Sequence, residues 1–259
     1  MVFPVADDNS DRTLFPLVTV ALIVLNVFVF VVLQGMGQND DVTLAYCQVP
    51  AEILSGRDVV TEPSMREIAV QGQHVVVPVP GLRPTPIPVW LTLLTAIFMH
   101  GSVMHLLGNM WFLWIFGDNV EDCMGHFRYL LFYLACGLVA SLAFVLLNAT
   151  GEASLTPCLG ASGAISGVLG AYLVLHPQRR VSVILLRMMV DVPGYMAVGI
   201  WFLFQVASGL FDTGGGGGGV AYSAHVAGFL AGMALAKPFS TAAAREEADP
   251  LVILRRRIG

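Results

Sequence analysis

The sequence predicts an all-α polytopic membrane protein, a bundle of six transmembrane helices whose short fourth helix starts inside the membrane. Three observations predict it. Apolar residues make up 56% of the 259 residues and charged residues 12%, with a mean hydropathy of +0.75, whereas soluble domains carry about 25% charge. The apolar residues gather in six runs, roughly 14–34, 90–116, 129–148, 162–176, 194–211 and 220–238. The fourth run is truncated: Gly160-Ala161-Ser162-Gly163 opens it and His176-Pro177 closes it. That is about 21 Å of helix at 1.5 Å per residue, against a hydrocarbon core roughly 30 Å thick, so one of its ends lies within the bilayer.

Residues 1–13 read as a short cytoplasmic N-terminus, and the first run is long enough to be an anchor rather than a removable signal. The loop of about 35–89, rich in Pro and Val, is too long for a simple connector and is expected to fold onto the outer membrane surface. The second run includes an entry loop; Asp118, Glu121 and Asp122 follow it at the cytoplasmic end, where solvation is the simpler reading. The lead-in to the fourth run, Glu152 to Ala161, must be shielded by protein or face water, because lipid does not tolerate irregular backbone.

Between the fifth and sixth runs stand Gly214, Gly215, Gly216, Gly217, Gly218 and Gly219, a stretch with little conformational preference that reads either as a passive tether or as a mobile cover. The membrane domain thus covers 14–238. The tail, 239–259, ends in Arg255-Arg256-Arg257 and is expected to touch the cytoplasmic leaflet. Of the 13 Lys and Arg, all but Arg57, Arg66 and Arg83 fall on one side of this topology, which sets both termini in the cytoplasm. A bacterial plasma membrane is the expected location.

Several functions are excluded. No basic cluster interleaved with aromatics points to nucleic acid. There is no C-x-x-C or H-E-x-x-H, and His100 and His105 stand about 140° apart on a helix, so no metal site or cofactor is expected. Cys47 and Cys158 both fall in outer segments where a disulfide can persist, although the sequence does not say whether their α-carbons approach.

Polar groups inside spans cost free energy and mark function. Four stand out: His105 and Asn109, one helical turn apart, then Ser162 and His225. Taken singly, Asn109 reads as an interhelical hydrogen-bonder and Ser162 as one more small residue beside Gly163, Gly167 and Gly170. His225, however, shares a helical face with Ala221, Gly228 and Gly232, the surface on which another helix approaches closely. The Gly163/Gly167 ridge is its natural partner, which would bring the imidazole to Ser162 and make the hydroxyl nucleophilic. The unsatisfied N–H groups that open the fourth helix would stabilise an oxyanion there, with Asn109 and His105 as side-chain donors.

At these residues the sequence resembles the rhomboid intramembrane serine proteases. His100 to Asn109 is similar to the family's H-x-x-x-x-H-x-x-x-N, Gly160 to Gly163 to its G-x-S-G, and Ala224-His225-Val226-Ala227-Gly228 with Gly232 to its A-H-x-x-G-x-x-x-G; Glu121 to Gly125 matches E-x-x-x-G. The resemblance implies a serine-type endopeptidase with a Ser–His dyad: Ser162 as nucleophile, His225 as base and then acid, and an oxyanion hole of His105, Asn109 and the Ser162 N–H. It implies helix packing through Gly160, Gly163, Gly167, Gly228 and Gly232, a lid at the position of Gly214–Gly219, and single-span membrane proteins as substrates within the lipid bilayer. The alternative is a catalytically silent relative that binds unstable spans without cutting them. Two positions depart from the pattern. Ser166 stands where many members carry an aromatic that packs on the catalytic imidazole, so a stacking partner for His225 must come from elsewhere or be absent. Leu91-Thr92 replace a frequent Trp-Arg pair, with Trp90 one place off.

Overall fold

The computed structural model describes residues 3–70, 73–186, 188–211 and 222–241. Strand β1 (Phe3–Asp7) leads into helix α1 (Leu17–Phe28), extended by a π-helical turn over Val29–Leu33. The first loop holds two short helices, α2 (Asp40–Tyr46) and α3 (Pro50–Ser55), and an antiparallel hairpin of β2 (Ser64–Val70) and β3 (Gln73–Val79). A short helix α4 (Thr92–Thr95) precedes α5 (Val103–Met124) and α6 (His126–Leu147). Next come α7 (Ser162–Leu175), a second hairpin of β4 (Arg180–Leu185) and β5 (Met188–Pro193), and finally α8 (Gly194–Phe211) and α9 (Tyr222–Phe239).

The fold is mostly helical, and the strands correct the all-α expectation. Val181 and Val183 are fully buried while their neighbours are not, a period-two pattern that suits a half-buried strand. The N-terminus pairs with them: Pro4 opposes Val183 and Asp7 opposes Val181, giving sheet order β1-β4-β5. Residues 3–7 are therefore a strand of the fold rather than a free tail. Among the described residues α6 is long and apolar enough to cross a membrane by itself, whereas α7 is shorter and α5 passes only together with 89–98, from which it is bent by 77°.

That bend divides the second apolar run and carries α5 beyond the expected end at 116 to Met124. Met99 is extended, and Gln34 holds the backbone of His100 at both polar groups: the His100 N–H donates to Oε1 (3.0 Å) and Nε2 donates to the His100 carbonyl (2.8 Å). Ser102 then caps the new helix by accepting from the His105 N–H at 3.1 Å.

The acidic residues at the far end of α5 are not left to solvent. Glu121 is fully buried and accepts from the N–H groups of Val18 and Thr19 (both 2.8 Å), from the Thr19 hydroxyl (2.7 Å) and from His126 Nδ1 (2.6 Å). It caps the N-terminus of α1, where orphan donors and the helix dipole both favour a carboxylate. Gly125, four residues on, adopts φ +74° and is the single residue between the end of α5 and the start of α6. Asp118 pairs with Arg12. Asp7 accepts from Tyr172 Oη (3.0 Å) and Asn119 Nδ2 (2.6 Å); burial, reinforced by the neighbouring Asp118 charge, raises its carboxyl to about 7.

Helix α7 forms the centre, with Gly163 through Tyr172 buried on every side and its closest packing against α9. Glycine permits this. A Cβ on Gly228 would collide with the Gly163 carbonyl, one on Gly232 with the Gly167 carbonyl, and one on Gly170 with the Phe229 carbonyl, so the α7 and α9 backbones touch directly. Cys47 and Cys158 are free thiols. Gln48, not Cys47, stands opposite Cys158, and side chains alternate along an extended chain. Cys47 therefore faces Leu44, Val49 and Leu82, while Cys158 packs beside Ala140, Phe144 and Ala224. Burial pushes both thiols up, to about 12 and about 11.

Candidate active site

Ser162 is the first residue of α7, preceded by Gly160 at φ +122°, a conformation that L side chains avoid. The Gly160 N–H donates to the Ala96 carbonyl at 2.8 Å, which ties the serine turn to the segment just before His100. No side chain caps α7, so its first N–H groups point at the space beside the Ser162 hydroxyl. Across from it, His225 projects from the first turn of α9, with Nε2 2.8 Å from Ser162 Oγ. The close contact of Gly163 with Gly228 holds the two helices at that separation.

The other face of the imidazole carries a residue that sequence reasoning passed over. Gln205 of α8 is buried, and its Oε1 lies 2.8 Å from His225 Nδ1. With the amide oxygen as acceptor, Nδ1 would bear the proton and Nε2 would offer its lone pair to the serine hydroxyl. Trp201, one helical turn earlier on α8, places its ring 6.4 Å from the imidazole at 34°, and Tyr222 stands edge-on at 6.3 Å. Two rings thus stand beside the imidazole although position 166 carries a serine. Ser166 is buried, and its hydroxyl donates to the Ser162 carbonyl at 2.6 Å. A glutamine within an otherwise apolar run was visible, and the cost of burying a polar group in a span was the signal that would have found it.

His105 enters from α5. A Cβ on Gly160 would lie 2.7 Å from His105 Cε1 and 3.7 Å from Ser162 Oγ, so the imidazole and the serine hydroxyl flank the same glycine. Among the described residues the His105 ring makes edge contact with His100 at 5.2 Å but takes no hydrogen bond through its nitrogens. Asn109 differs from expectation in one respect: its Nδ2 is engaged, 3.0 Å from His100 Nε2. One amide hydrogen is used in that bond and the second remains for another acceptor. Sequence reading weighed His100 as a metal ligand; the structure makes it the residue that orients Asn109, itself fixed by Gln34 and in edge contact with Phe30 at 6.5 Å. Gly214–Gly219 and the arginines of the tail lie outside the described residues.

The sequence that folds into this site has a counterpart among known proteins. Residues 88–242, more than half of the chain, match the family profile described as the Rhomboid domain. The chain belongs to the rhomboid family. Membership makes it a membrane-embedded protein of a family that includes serine proteases. It is 32% identical over 170 residues to the rhomboid protease GluP of Bacillus subtilis, covering 66% of this chain and 31% of GluP. It is 35% identical over 97 residues to the presenilin-associated rhomboid-like protein A, mitochondrial, of Danio rerio, covering 37% of this chain and 25% of that protein. To the rhomboid protein 1, mitochondrial, of Saccharomyces cerevisiae it is 29% identical over 147 residues, 55% of this chain and 40% of that protein. This rhomboid chain thus spans two fifths or less of the length of these relatives, and both bacterial and mitochondrial proteins are among them.

Proposed function

We propose that this rhomboid is an intramembrane serine endopeptidase acting on single-span membrane proteins. The observation that carries the reading is the 2.8 Å contact between His225 Nε2 and the hydroxyl of Ser162 at an uncapped helix N-terminus. Six helices, α1 and α5 to α9, form the transmembrane bundle in this reading, supported by the apolar composition and by membership of the family. Both termini face the cytoplasm, as the distribution of Lys and Arg favours. In this reading the membrane is a bacterial plasma membrane, with a Bacillus protein among the relatives in its favour and the mitochondrial relatives weighing against it.

The chemistry follows from the atoms. Ser162 Oγ attacks the scissile carbonyl while its proton passes to His225 Nε2. The oxyanion forms beside the Ser162 N–H and the positive end of α7, with the free hydrogen of Asn109 and a His105 ring N–H completing the donors. Collapse of the intermediate returns the proton from the imidazolium to the leaving amine, and water, activated by the same nitrogen, releases the acyl group. No step calls for a cofactor or metal. In this reading the hexaglycine stretch acts as a lid before α9; shortening Gly214–Gly219 to two residues then slows turnover, and unchanged turnover identifies a passive tether.

The silent-relative alternative has less support, because both serine and histidine are present and in contact. Reconstituted protein is incubated with single-span substrates, comparing wild type with Ser162→Ala and His225→Ala. Cleavage and fluorophosphonate labelling confined to the wild type are expected; cleavage that survives Ser162→Ala overturns the mechanism.

A further inference from the structure

We propose that Gln205 is the positioning residue of the histidine, a neutral third member that fixes its tautomer and ring plane; this rests on Ser162 and His225 acting as nucleophile and base. Helix α8 is apolar around this position, with Phe204 and Val206 as neighbours, and burying an amide there is costly unless it is hydrogen-bonded. Gln205 recovers that cost on one atom, Nδ1 of His225, at 2.8 Å. Trp201 and Gln205, at i and i+4, share one face of α8, so a single helix face supplies both the hydrogen bond and the aromatic wall against the imidazole.

The amide does what geometry requires and no more. Its oxygen accepts from Nδ1–H, which leaves Nε2 unprotonated toward Ser162 Oγ; with the other tautomer, Nε2 would donate to the hydroxyl and could not take its proton. A carboxylate would perform the same orientation, but an ion buried among apolar helices carries a desolvation penalty that an amide avoids. The titratable groups facing His225 are Tyr222 on its own helix and His105 from α5; no carboxylate contact to the ring is made among the described residues. With serine at position 166, the imidazole is held by the Gln205 hydrogen bond and flanked by the Trp201 and Tyr222 rings.

The test compares wild type, Gln205→Leu and Gln205→Glu as full-length protein in detergent, with Ser162→Ala alongside. Leucine removes the acceptor at similar volume, and glutamate restores it. For Gln205→Leu, kcat and the rate of fluorophosphonate labelling are expected to fall roughly 10- to 100-fold with KM unchanged, whereas Gln205→Glu recovers most of the rate. Histidine 15N NMR, with the His225 signals assigned by their loss in His225→Asn, is expected to show Nδ1-protonated imidazole in wild type and a tautomer mixture in Gln205→Leu. Unchanged kcat in Gln205→Leu, equal losses in the two variants, or an unchanged tautomer would each overturn the proposal. Failure of the protease reading is separate: it appears as cleavage that Ser162→Ala does not abolish, while the tautomer measurement still decides what Gln205 does.

Discussion

The two ends of α5 handle buried polar groups in opposite ways. At the Glu121 end the carboxylate is saturated: both oxygens accept, and the donors come from α1 and His126. At the His105 end the groups are neutral and keep unused hydrogen-bonding capacity, namely the His105 ring nitrogens, the second Asn109 amide hydrogen and the first N–H groups of α7. Saturation makes a joint, because a satisfied buried ion gains nothing from a newcomer. Spare capacity directed at one hydroxyl makes a place where developing charge can be received.

Substitutions can break this contrast in order of size. Asn109→Ala removes a spare donor together with the buried bond to His100 and is expected to lower kcat by roughly 100- to 1,000-fold, about 2.7–4 kcal/mol of transition-state stabilisation, beside a stability loss of about 1–3 kcal/mol; a stopped assay on the folded fraction with one substrate and a melting curve separate the two. An activity within threefold of wild type would remove Asn109 from the oxyanion site. Glu121→Gln should cost roughly 1–3 kcal/mol of stability through the lost charge-assisted bonds to α1 while kcat in the surviving folded fraction stays near wild type. A proportionate loss of kcat without a loss of stability would show that the two ends are not separable.

The pH-dependent effect belongs to Asp7. Its folded carboxyl titrates near 7 against an ordinary value of 3.8, so between those values the folded state holds a proton that the unfolded chain has released. Stability from this group is therefore full below about pH 4 and declines as pH rises through 7. Asp7→Asn, which stays neutral, should match wild type at pH 4 and exceed it in stability at pH 8. Melting curves at the two pH values check this, and a gain at pH 4 as large as that at pH 8 would argue against titration as the cause.

Much of the site was legible because its residues are improbable where they stand. A serine at the head of a truncated helix and a histidine among glycines are costly inside a membrane, and glycine spacing of three and four residues names the face on which a helix can approach. Gln205 obeyed the same rule and was passed over, since one amide in an apolar run has no spacing partner until α8 is seen against α9. The acids after Phe116 misled for a related reason: near a helix end, solvent is the default partner for a carboxylate, and nothing local says that residues 18 and 19, about a hundred positions earlier, will supply N–H groups instead.

By itself, the sequence determined the apolar helices, the truncation that starts α7 at Ser162, and the small-residue faces of α7 and α9, because length, composition and helical period are local properties of the chain. The tertiary structure decided the partners: Gln205 and Trp201 on His225, His100 on Asn109, Glu121 on α1 and residues 3–7 on β4. Each of these depends on which buried donors and acceptors meet once the helices have packed. A hydrogen bond forms over about 3 Å whatever the separation along the chain, so its two ends leave no shared mark in the sequence.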